Sequence, residues 1–217
     1  MKKQRIRESE IGVQDPVTAG MYDRFARQLR DWGWNGVREM LSAGLGSGAM
    51  LELGPGPGYV GLELARQLGS QSLTGCDVSP AMVRIARKNA AEYGLSARYV
   101  LGSAMELPFS DSSFDCVVSN GCLHEWETPR MVFDEIWRVL RPGGRFCVTD
   151  LRRDTAQWKH WLLWLLIRHR PLRAGLRSSM AAAYTVPEVA AILRQTRLAS
   201  AQVRRTYLGL CICGAKG

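Results

Sequence analysis

The chain has 217 residues, of which 46% are hydrophobic and 23% charged, a composition that excludes a disordered or fibrous protein and fits one globular domain. Its longest apolar run, Trp161 to Ile167, is shorter than the roughly 20 residues that span a membrane, and the basic N-terminus lacks the apolar core of a secretory signal. We therefore expect a cytoplasmic protein. The net charge of +9 lies entirely in residues 152–205, which hold eleven Lys or Arg and two acids.

Short apolar runs alternate with helical patterns from residue 49 onward, after one or two helices expected within residues 17–45. The predicted strands are Ala49–Leu53, Ser72–Asp77, Ala97–Leu101, Phe114–Ser119 and Arg145–Asp150. The predicted helices are Val60–Leu68, Pro80–Tyr93 with Ser79 as its N-cap, and Pro129–Leu140, which a turn at Pro142–Gly144 closes. This alternation predicts an α/β fold, a doubly wound and mostly parallel sheet with helices on both faces.

The last third of the chain departs from this alternation. A helical stretch from Trp158 to His169 is followed by a basic connection through Arg177 and by a helix that the capping box Thr185-x-x-Glu188 opens. Two predicted strands, 201–207 and 208–214, follow each other in the sequence without a long connection, which indicates an antiparallel hairpin. We therefore expect one domain, residues 1–217. It comprises an N-terminal helical cap (1–45), a ligand-binding core (46–151), a basic helical lid or substrate insertion (152–198) and a C-terminal hairpin (199–217).

The sequence LELGPGPGYVG places Gly54, Gly56 and Gly58 between a strand and a helix. Without Cβ atoms, the backbone can approach a ligand closely there, and the helix N-terminus offers oriented N–H donors. Asp77, at the end of the next strand, is placed to accept hydrogen bonds from both hydroxyls of a ribose. The loop and this acid predict a site for a nucleoside cofactor.

Two cofactor classes compete for such a loop. Residues 56–61 match the GxGxxG pattern of dinucleotide-binding proteins, but the strand ends at Leu53 and the turn starts at Gly54. Glu52 would repel a pyrophosphate and suits a ligand that carries an ammonium group. The residues therefore favour a nucleoside linked to an amino acid and leave a nicotinamide or flavin dinucleotide as the alternative.

Four segments in order, LELGPGPG, GCDVSPAMVRIARKNA, LPFSDSSFDCVVSNGCLHEW and EIWRVLRPGGRF, resemble class I S-adenosylmethionine-dependent methyltransferases. The resemblance is to the small-molecule type that includes quinone-biosynthesis methyltransferases, and it covers about half of the chain, Met50 to Asp150. It implies a Rossmann-like seven-stranded sheet whose last strand is antiparallel. It also implies S-adenosylmethionine as the cofactor and S-adenosylhomocysteine as the product.

The resemblance implies a set of cofactor-binding positions: Tyr22, Glu52, Gly54, Gly56, Gly58, Asp77, Val78, Met82, Ser103, Ala104, Met105 and Asn120. Glu52 and the glycines would hold the methionine end, Asp77 the ribose, and Val78 and Met82 the adenine. Where the family usually has Asp-Ala after the third strand, this chain has Ser103-Ala104, so a hydroxyl replaces the acid. Tyr22 would cap the methionine carboxylate, or it would only pack a helix onto the body.

Methyl transfer is an in-line displacement that depends mostly on positioning, and a general base is needed only when the acceptor is protonated. His124, in the segment that follows the fourth predicted strand, has a suitable pKa for a catalytic base; its alternative role is to pack or cap the next turn. Cys122 raises the less favoured hypothesis of arsenite methylation, which would need two or three converging thiols. The sequence predicts no metal site.

The basic third combines aromatic and cationic residues between Trp158 and Arg170. Three roles fit this pattern: a lid packed on the domain, a wall of the acceptor pocket, and a peripheral membrane contact. Nucleic acid is disfavoured because no recognition module is present. We expect a methyltransferase for a small apolar or anionic metabolite. The alternatives are a non-catalytic cofactor-binding protein and a quinone- or lipid-type methyltransferase at the membrane surface; the oligomeric state stays open.

Overall fold

A computed structural model of the chain describes residues 4–6, 13–70, 72–167 and 170–217. Its helices are α1 Pro16–Asp31, α2 Val37–Leu41, α3 Tyr59–Leu68, α4 Pro80–Tyr93, α5 Pro129–Val139, α6 Gln157–Leu166, α7 Arg170–Ala182 and α8 Val186–Leu193. Its strands are β1 Ala49–Leu53, β2 Ser72–Asp77, β3 Ala97–Leu101, β4 Phe114–Asn120, β5 Leu140–Leu151, β6 Gln202–Arg205 and β7 Gly209–Ala215. None of the described helices is both long enough and apolar enough to cross a bilayer.

The strands form one seven-stranded sheet in the order β3-β2-β1-β4-β5-β7-β6. Strands β1 to β5 pair in parallel, and β7 pairs antiparallel with both β5 and β6. The predicted sheet, with its antiparallel last strand, is therefore confirmed. The strand order reverses between β1 and β4, and ligands of doubly wound sheets bind beyond the carboxyl ends of the strands at such a point.

Each face of the sheet is covered by its own hydrophobic cluster, because neighbouring residues of a strand point to opposite faces. On one face Leu51 and Leu53 pack with residues of α5 and α8, such as Phe133 and Leu193. On the other face Met50 packs with residues of α2, α3 and α4. The doubly wound arrangement predicted from the sequence is confirmed.

Two local predictions are wrong. The structure continues β5 through the predicted turn at Pro142–Gly144, because Phe114 pairs with Leu140 and Cys116 with Arg145, so the extra residues form an irregularity within the strand pair. The residues expected to form a basic connection through Arg177 form helix α7 instead. Arg, Leu and Ala, which make up most of this segment, have high helix propensity. The last two residues of the stretch predicted as helical to His169 lie outside the described residues.

At Gly209, β7 lies very close to the backbone of β5. A Cβ atom there would overlap the backbone carbonyl oxygen of Asp150, whereas a Cβ at Gly175 in α7 would meet nothing within 4 Å. The antiparallel pairing at the carboxyl end of β5 therefore requires a residue without a side chain.

We expect Gly209→Ala to lower the free energy of unfolding by about 1–3 kcal/mol, the usual cost of forcing extra atoms into a packed site. Gly175→Ala is the control, and it should stabilise the chain by about 0.5–1 kcal/mol because alanine favours helix. Urea unfolding of both variants measures the difference. Equal midpoints for Gly209→Ala and the wild type would contradict the close packing described above.

Candidate functional site

The glycine loop that follows β1 is shaped by three left-handed residues. Gly54, Gly56 and Gly58 have φ values of 60°, 52° and 86°, which only glycine adopts at little cost. The N–H of Gly54 donates to the carbonyl of Cys76 at 2.9 Å, which joins the loop to the end of β2. Because α3 begins directly after the loop, its first N–H groups face the same edge of the sheet.

Asp77 lies at the end of β2, where it is only 7% exposed. Its Oδ2 accepts the N–H of Gly56 at 2.9 Å, and its Oδ1 accepts the N–H of Ser79 at 2.8 Å. Burial raises the pKa of Asp77, and these backbone donors counteract part of the rise. A carboxylate can accept about four hydrogen bonds, so both oxygens retain capacity for a ligand.

The residues after Asp77 begin helix α4. Ser79 is its N-cap and accepts the N–H of Met82 at 3.2 Å, which confirms the predicted cap. Val78 is 37% exposed, whereas Met82 is buried in a small cluster with Ala19 of α1. The N-terminal helix therefore covers part of the predicted adenine side of the site.

Glu52 is buried beneath the glycine loop. Its Oε1 accepts the N–H of Gly61 at 3.0 Å, and its Oε2 has no hydrogen-bond partner among the described residues. Burial raises the pKa of this carboxyl to about 8, against the lowering effect of the Gly61 N–H and with a contribution from the charge of Asp77. Glu52 is therefore mostly protonated at neutral pH, and a nearby positive charge would favour its ionised form.

The segment after β3 lies beside Asp77, because the N–H of Gly102 donates to the carbonyl of Asp77 at 3.0 Å. Ser103 forms an isolated bridge with Glu106, and its Oγ accepts the N–H of Met105 at 3.1 Å. Ala104 and Met105 pack partly buried against the cluster on the α5 face. The structure thus brings the predicted Ser103–Met105 segment to the edge of the sheet that holds the glycine loop.

Helix α1 brings Tyr22 to this edge. A Cβ atom at Gly56 would lie 3.5 Å from Cε1 of Tyr22. Burial raises the pKa of the Tyr22 hydroxyl, and nearby Cys122, Glu125, Asp77 and Asp150 raise it further. The Tyr22 side chain therefore lies near groups at the ends of β2, β4 and β5.

The next residue of α1, Asp23, attaches the helix to the glycine loop. Its Oδ1 accepts the hydroxyl of Tyr59 at 2.9 Å and the amide of Asn89 at 3.0 Å. The same amide donates to the carbonyl of Pro57 at 2.9 Å. Asp23 therefore fixes the position of Tyr22, and nothing in the sequence pattern indicated the partners Tyr59 and Asn89.

His124 forms a buried pair with Asp150 at the end of β5. The ring Nδ1 lies 2.8 Å and 2.9 Å from the two carboxylate oxygens, and the backbone N–H of His124 donates to Oδ2 at 2.7 Å. The side chains are 5% and 1% exposed. A carboxylate partner favours the tautomer with the proton on Nδ1, which makes Nε2 the proton acceptor. Sequence reasoning identified Asp150 only as a strand end.

Asn120 and Cys122 complete the edge between β1 and β4. The hydroxyl of Thr149 donates to Oδ1 of Asn120 at 2.7 Å. The thiol of Cys122 lies 3.2 Å from the carbonyl of Gly54, and burial raises its pKa well above the ordinary value. Such a thiol is a poor thiolate ligand, which counts against the arsenite hypothesis. No group of acids, cysteines and histidines suited to a metal ion occurs in the described part of the chain.

Residues 51–148 match the family model described as a methyltransferase domain. The demethylmenaquinone methyltransferase of Deinococcus radiodurans is 31% identical over 175 residues, 78% of this chain and 73% of that protein. A solved S-adenosylmethionine-dependent methyltransferase from Aquifex aeolicus shares the fold with a TM-score of 0.70 and 20% identity, covering 94% of this chain and 100% of that one. The chain belongs to the class I S-adenosylmethionine-dependent methyltransferases.

A second curated relative is the phthiotriol/phenolphthiotriol dimycocerosates methyltransferase of Mycobacterium tuberculosis, 38% identical over 117 residues, which are 53% of this chain and 43% of that protein. The chain therefore spans less than half the length of this relative. Membership of the family makes S-adenosylmethionine the cofactor and excludes the dinucleotide interpretation.

The raised pKa of Glu52 makes stability depend on pH. The unfolded chain loses this proton near the ordinary carboxyl pKa of 4.5, whereas the folded state keeps it up to about pH 8. The stabilisation by the protonated carboxyl is therefore complete below about pH 4.5 and is lost as the pH rises to the folded pKa. We expect Glu52→Gln to match the wild type in unfolding free energy below about pH 4.5, to become progressively more stable than the wild type between about pH 4.5 and 8, and to keep a constant advantage above pH 8.

Urea unfolding across this pH range measures the difference. Glu39→Gln, an exposed position of α2, is the control and should follow the wild-type pH dependence. A difference between Glu52→Gln and wild type that stays constant over the whole range would show that the carboxyl does not titrate as described.

Proposed function

We propose that this protein transfers the methyl group of S-adenosylmethionine to a small, apolar acceptor such as a quinol or phenol. The observation that carries the proposal is the arrangement at one edge of the sheet. The glycine loop and Asp77 lie at the ends of β1 and β2. The buried His124–Asp150 pair joins the segment that follows β4, the strand next to β1, to the end of β5. This is a nucleoside site with a proton acceptor next to it.

The residues at the loop fit the cofactor. The backbone of Gly54, Gly56 and Gly58 forms a cradle that side chains would fill, and the unpartnered oxygen of Glu52 suits an ammonium group. The free acceptor capacity of Asp77 suits two ribose hydroxyls. When bound, S-adenosylmethionine supplies a methyl group on a positively charged sulfur, which the acids of this edge stabilise electrostatically.

The other proposed contacts complete the cofactor site. Val78 and Met82 would flank the adenine, and the segment Ser103, Ala104 and Met105 would close its far side. Tyr22 and Asn120 would face the methionine end, where α1 covers the loop. Their place at this edge supports these roles, as does the anchoring of Tyr22 through its neighbour Asp23.

On the acceptor side, Asp150 holds the ring of His124 with Nδ1 as the proton donor, so Nε2 can take a proton from an acidic acceptor hydroxyl or carbon. Apart from this base, the protein would act by positioning the two substrates, because methyl transfer needs the acceptor atom, the methyl group and the sulfur in line. Cysteine takes no covalent part in this proposal, in agreement with the raised pKa of Cys122.

The apolar acceptor is supported by two relatives, a demethylmenaquinone methyltransferase and a phthiotriol/phenolphthiotriol dimycocerosates methyltransferase. Residues 152–198 would form the acceptor-side insertion on the core 46–151, between the cap 1–45 and the hairpin 199–217. We also propose a peripheral contact with a membrane, where such acceptors reside. The cytoplasmic location stays a prediction from the sequence.

The first test concerns the cofactor. Asp77→Asn removes a charged acceptor of two ribose hydrogen bonds, each worth about 1.5–3 kcal/mol at most. We expect the dissociation constants of S-adenosylmethionine and S-adenosylhomocysteine to rise about tenfold to a hundredfold, measured by calorimetry. Asp134→Asn, on the half-exposed surface of α5, should bind as the wild type does. Unchanged binding by Asp77→Asn would place the cofactor elsewhere.

The second test concerns the reaction, followed by transfer of labelled methyl from S-adenosylmethionine to demethylated quinols, phenols, amines and thiols. We expect labelling of a quinol or phenol. His124→Asn should lower the turnover number by about 10²–10⁴-fold, the usual contribution of a general base, with cofactor affinity unchanged.

Asp150→Asn tests the positioning role of that carboxylate. We expect Asp150→Asn to lower turnover in the same direction as His124→Asn, because it removes the carboxylate that orients the imidazole ring, while cofactor affinity stays unchanged. Turnover by His124→Asn equal to the wild type would reduce the histidine to a packing role. Labelling of none of the acceptors by the wild type would contradict the proposed substrate class.

A further inference from the structure

Helix α6 presents an apolar stripe to solvent. Trp158, Trp161 and Leu165 recur at helical spacing on one side of the helix and are 58%, 62% and 50% exposed. Trp164, about a quarter turn around the helix from the stripe, is only partly exposed, and its ring lies 4.1 Å from the guanidinium of Arg173. The stripe is therefore not the buried face of a lid.

The tip of the β6–β7 hairpin extends this stripe. Tyr207, between the two strands, is 62% exposed. Lys159 of α6 donates to the carbonyl of Tyr207 at 2.9 Å, and its ammonium lies 3.7 Å from the centre of the tyrosine ring. Thr155 donates to the carbonyl of Leu208 at 3.0 Å. We refer to Trp158, Trp161, Leu165 and Tyr207 as the aromatic surface.

Positive charge lies beside the aromatic surface. The ammonium of Lys159 lies 5.6 Å from the centre of the Trp158 ring and 3.7 Å from that of Tyr207. Arg205, at the end of the strand that precedes Tyr207, is 65% exposed and lies 3.8 Å from Asp154. Three of the four residues of the surface fall within residues 152–205, which carry the entire excess of +9. Tryptophan and tyrosine with lysine and arginine are the side chains that occupy the interface between lipid headgroups and acyl chains. Anionic headgroups complement this charge.

The aromatic surface adjoins the acceptor end of the site. In the sheet Leu210 pairs with Asp150 and Gly209 with Leu151, so Tyr207, two residues before Gly209, lies just beyond the carboxyl end of β5. Asp150, one residue before that end, holds the ring of His124. An acceptor dissolved in a bilayer beneath the aromatic surface would therefore meet the protein next to the proposed base.

We propose that the aromatic surface docks this protein on an anionic lipid bilayer, from which it takes its apolar acceptor. The docking rests on the exposed stripe, the hairpin tip and the surrounding charge. The delivery of the acceptor rests in addition on the proposed function.

The test is flotation of the full chain with phosphatidylcholine vesicles, with and without phosphatidylglycerol, at low and high salt. We expect binding to the anionic vesicles only, weakened by salt. The double variant Trp158→Ala/Trp161→Ala should bind at least about tenfold more weakly, because it removes the two largest insertable side chains, and Tyr207→Ala should weaken binding less.

The matched control is Trp32→Ala/Trp34→Ala, which removes two tryptophans that are 42% and 50% exposed after α1. It should bind vesicles as the wild type does. Thermal unfolding of every variant verifies that it is folded. Three results would overturn the proposal: no binding of the wild type to anionic vesicles, equal binding by the α6 double variant, or loss of binding in the control alone. Sedimentation that shows self-association dependent on Trp158 and Trp161, without vesicle binding, would instead make the surface a contact between copies.

Turnover separates this inference from the proposed function. The α6 double variant should lose methylation of a long-chain quinol embedded in vesicles and retain methylation of a short-chain, water-soluble quinol. If both substrates are affected equally, the surface does not deliver the acceptor. If the wild type binds vesicles and methylates neither quinol, docking holds and the proposed acceptor class fails.

Discussion

The hydrogen bond from the N–H of Gly56 to Asp77 connects the two halves of the proposed cofactor site. It holds a left-handed loop residue against the end of the next strand, and the second oxygen of the same carboxylate accepts the N–H of Ser79 at the start of α4. One side chain therefore sets the distance between the glycine loop, β2 and α4. The loop can come this close because its three glycines have no Cβ atoms and adopt positive φ.

Charge is divided between two regions of the protein. The site edge gathers acids, since Glu52, Asp77 and Asp150 lie at or near the carboxyl ends of β1, β2 and β5, while the excess of positive charge lies in residues 152–205. When a cation binds next to a buried acid, the free-energy cost of ionising that acid falls. An acidic edge is therefore matched to a sulfonium cofactor, and the basic region is left to interact with an anionic surface.

The parts of the structure that depend on local sequence could be predicted. The glycine loop, the cap at Ser79 and the strand that ends at Asp77 each follow from residues within a few positions of one another. The irregularity in β5 could not, because it depends on how Phe114 and Cys116 pair with a strand distant in the chain. Helix α7 was missed because its charges and Gly175 obscured the helical propensity of its other residues.

The site was predicted unevenly for the same reason. Asp77 was identified because it follows the loop in the expected unit, whereas Asp150 meets His124 only after β4 and β5 pair. The orientation of the α6 stripe was also beyond the sequence, because a helix with tryptophans on several sides has no unique buried face. In the structure Trp158 and Trp161 are exposed, whereas the ring of Trp164 packs against Arg173.

An in-line displacement requires the acceptor atom, the methyl group and the sulfur to lie on one line, and the fold offers different elements to the two proposed ligands. Helix α1 lies over the glycine loop, where Asp23 ties it to Tyr59 and Asn89. The hairpin and α6 lie towards the end of β5, beside Asp150. In the proposed arrangement the cofactor would contact the α1 side, and the acceptor would come from a lipid surface on the α6 side. A polar cofactor and an apolar acceptor would then not share one entrance.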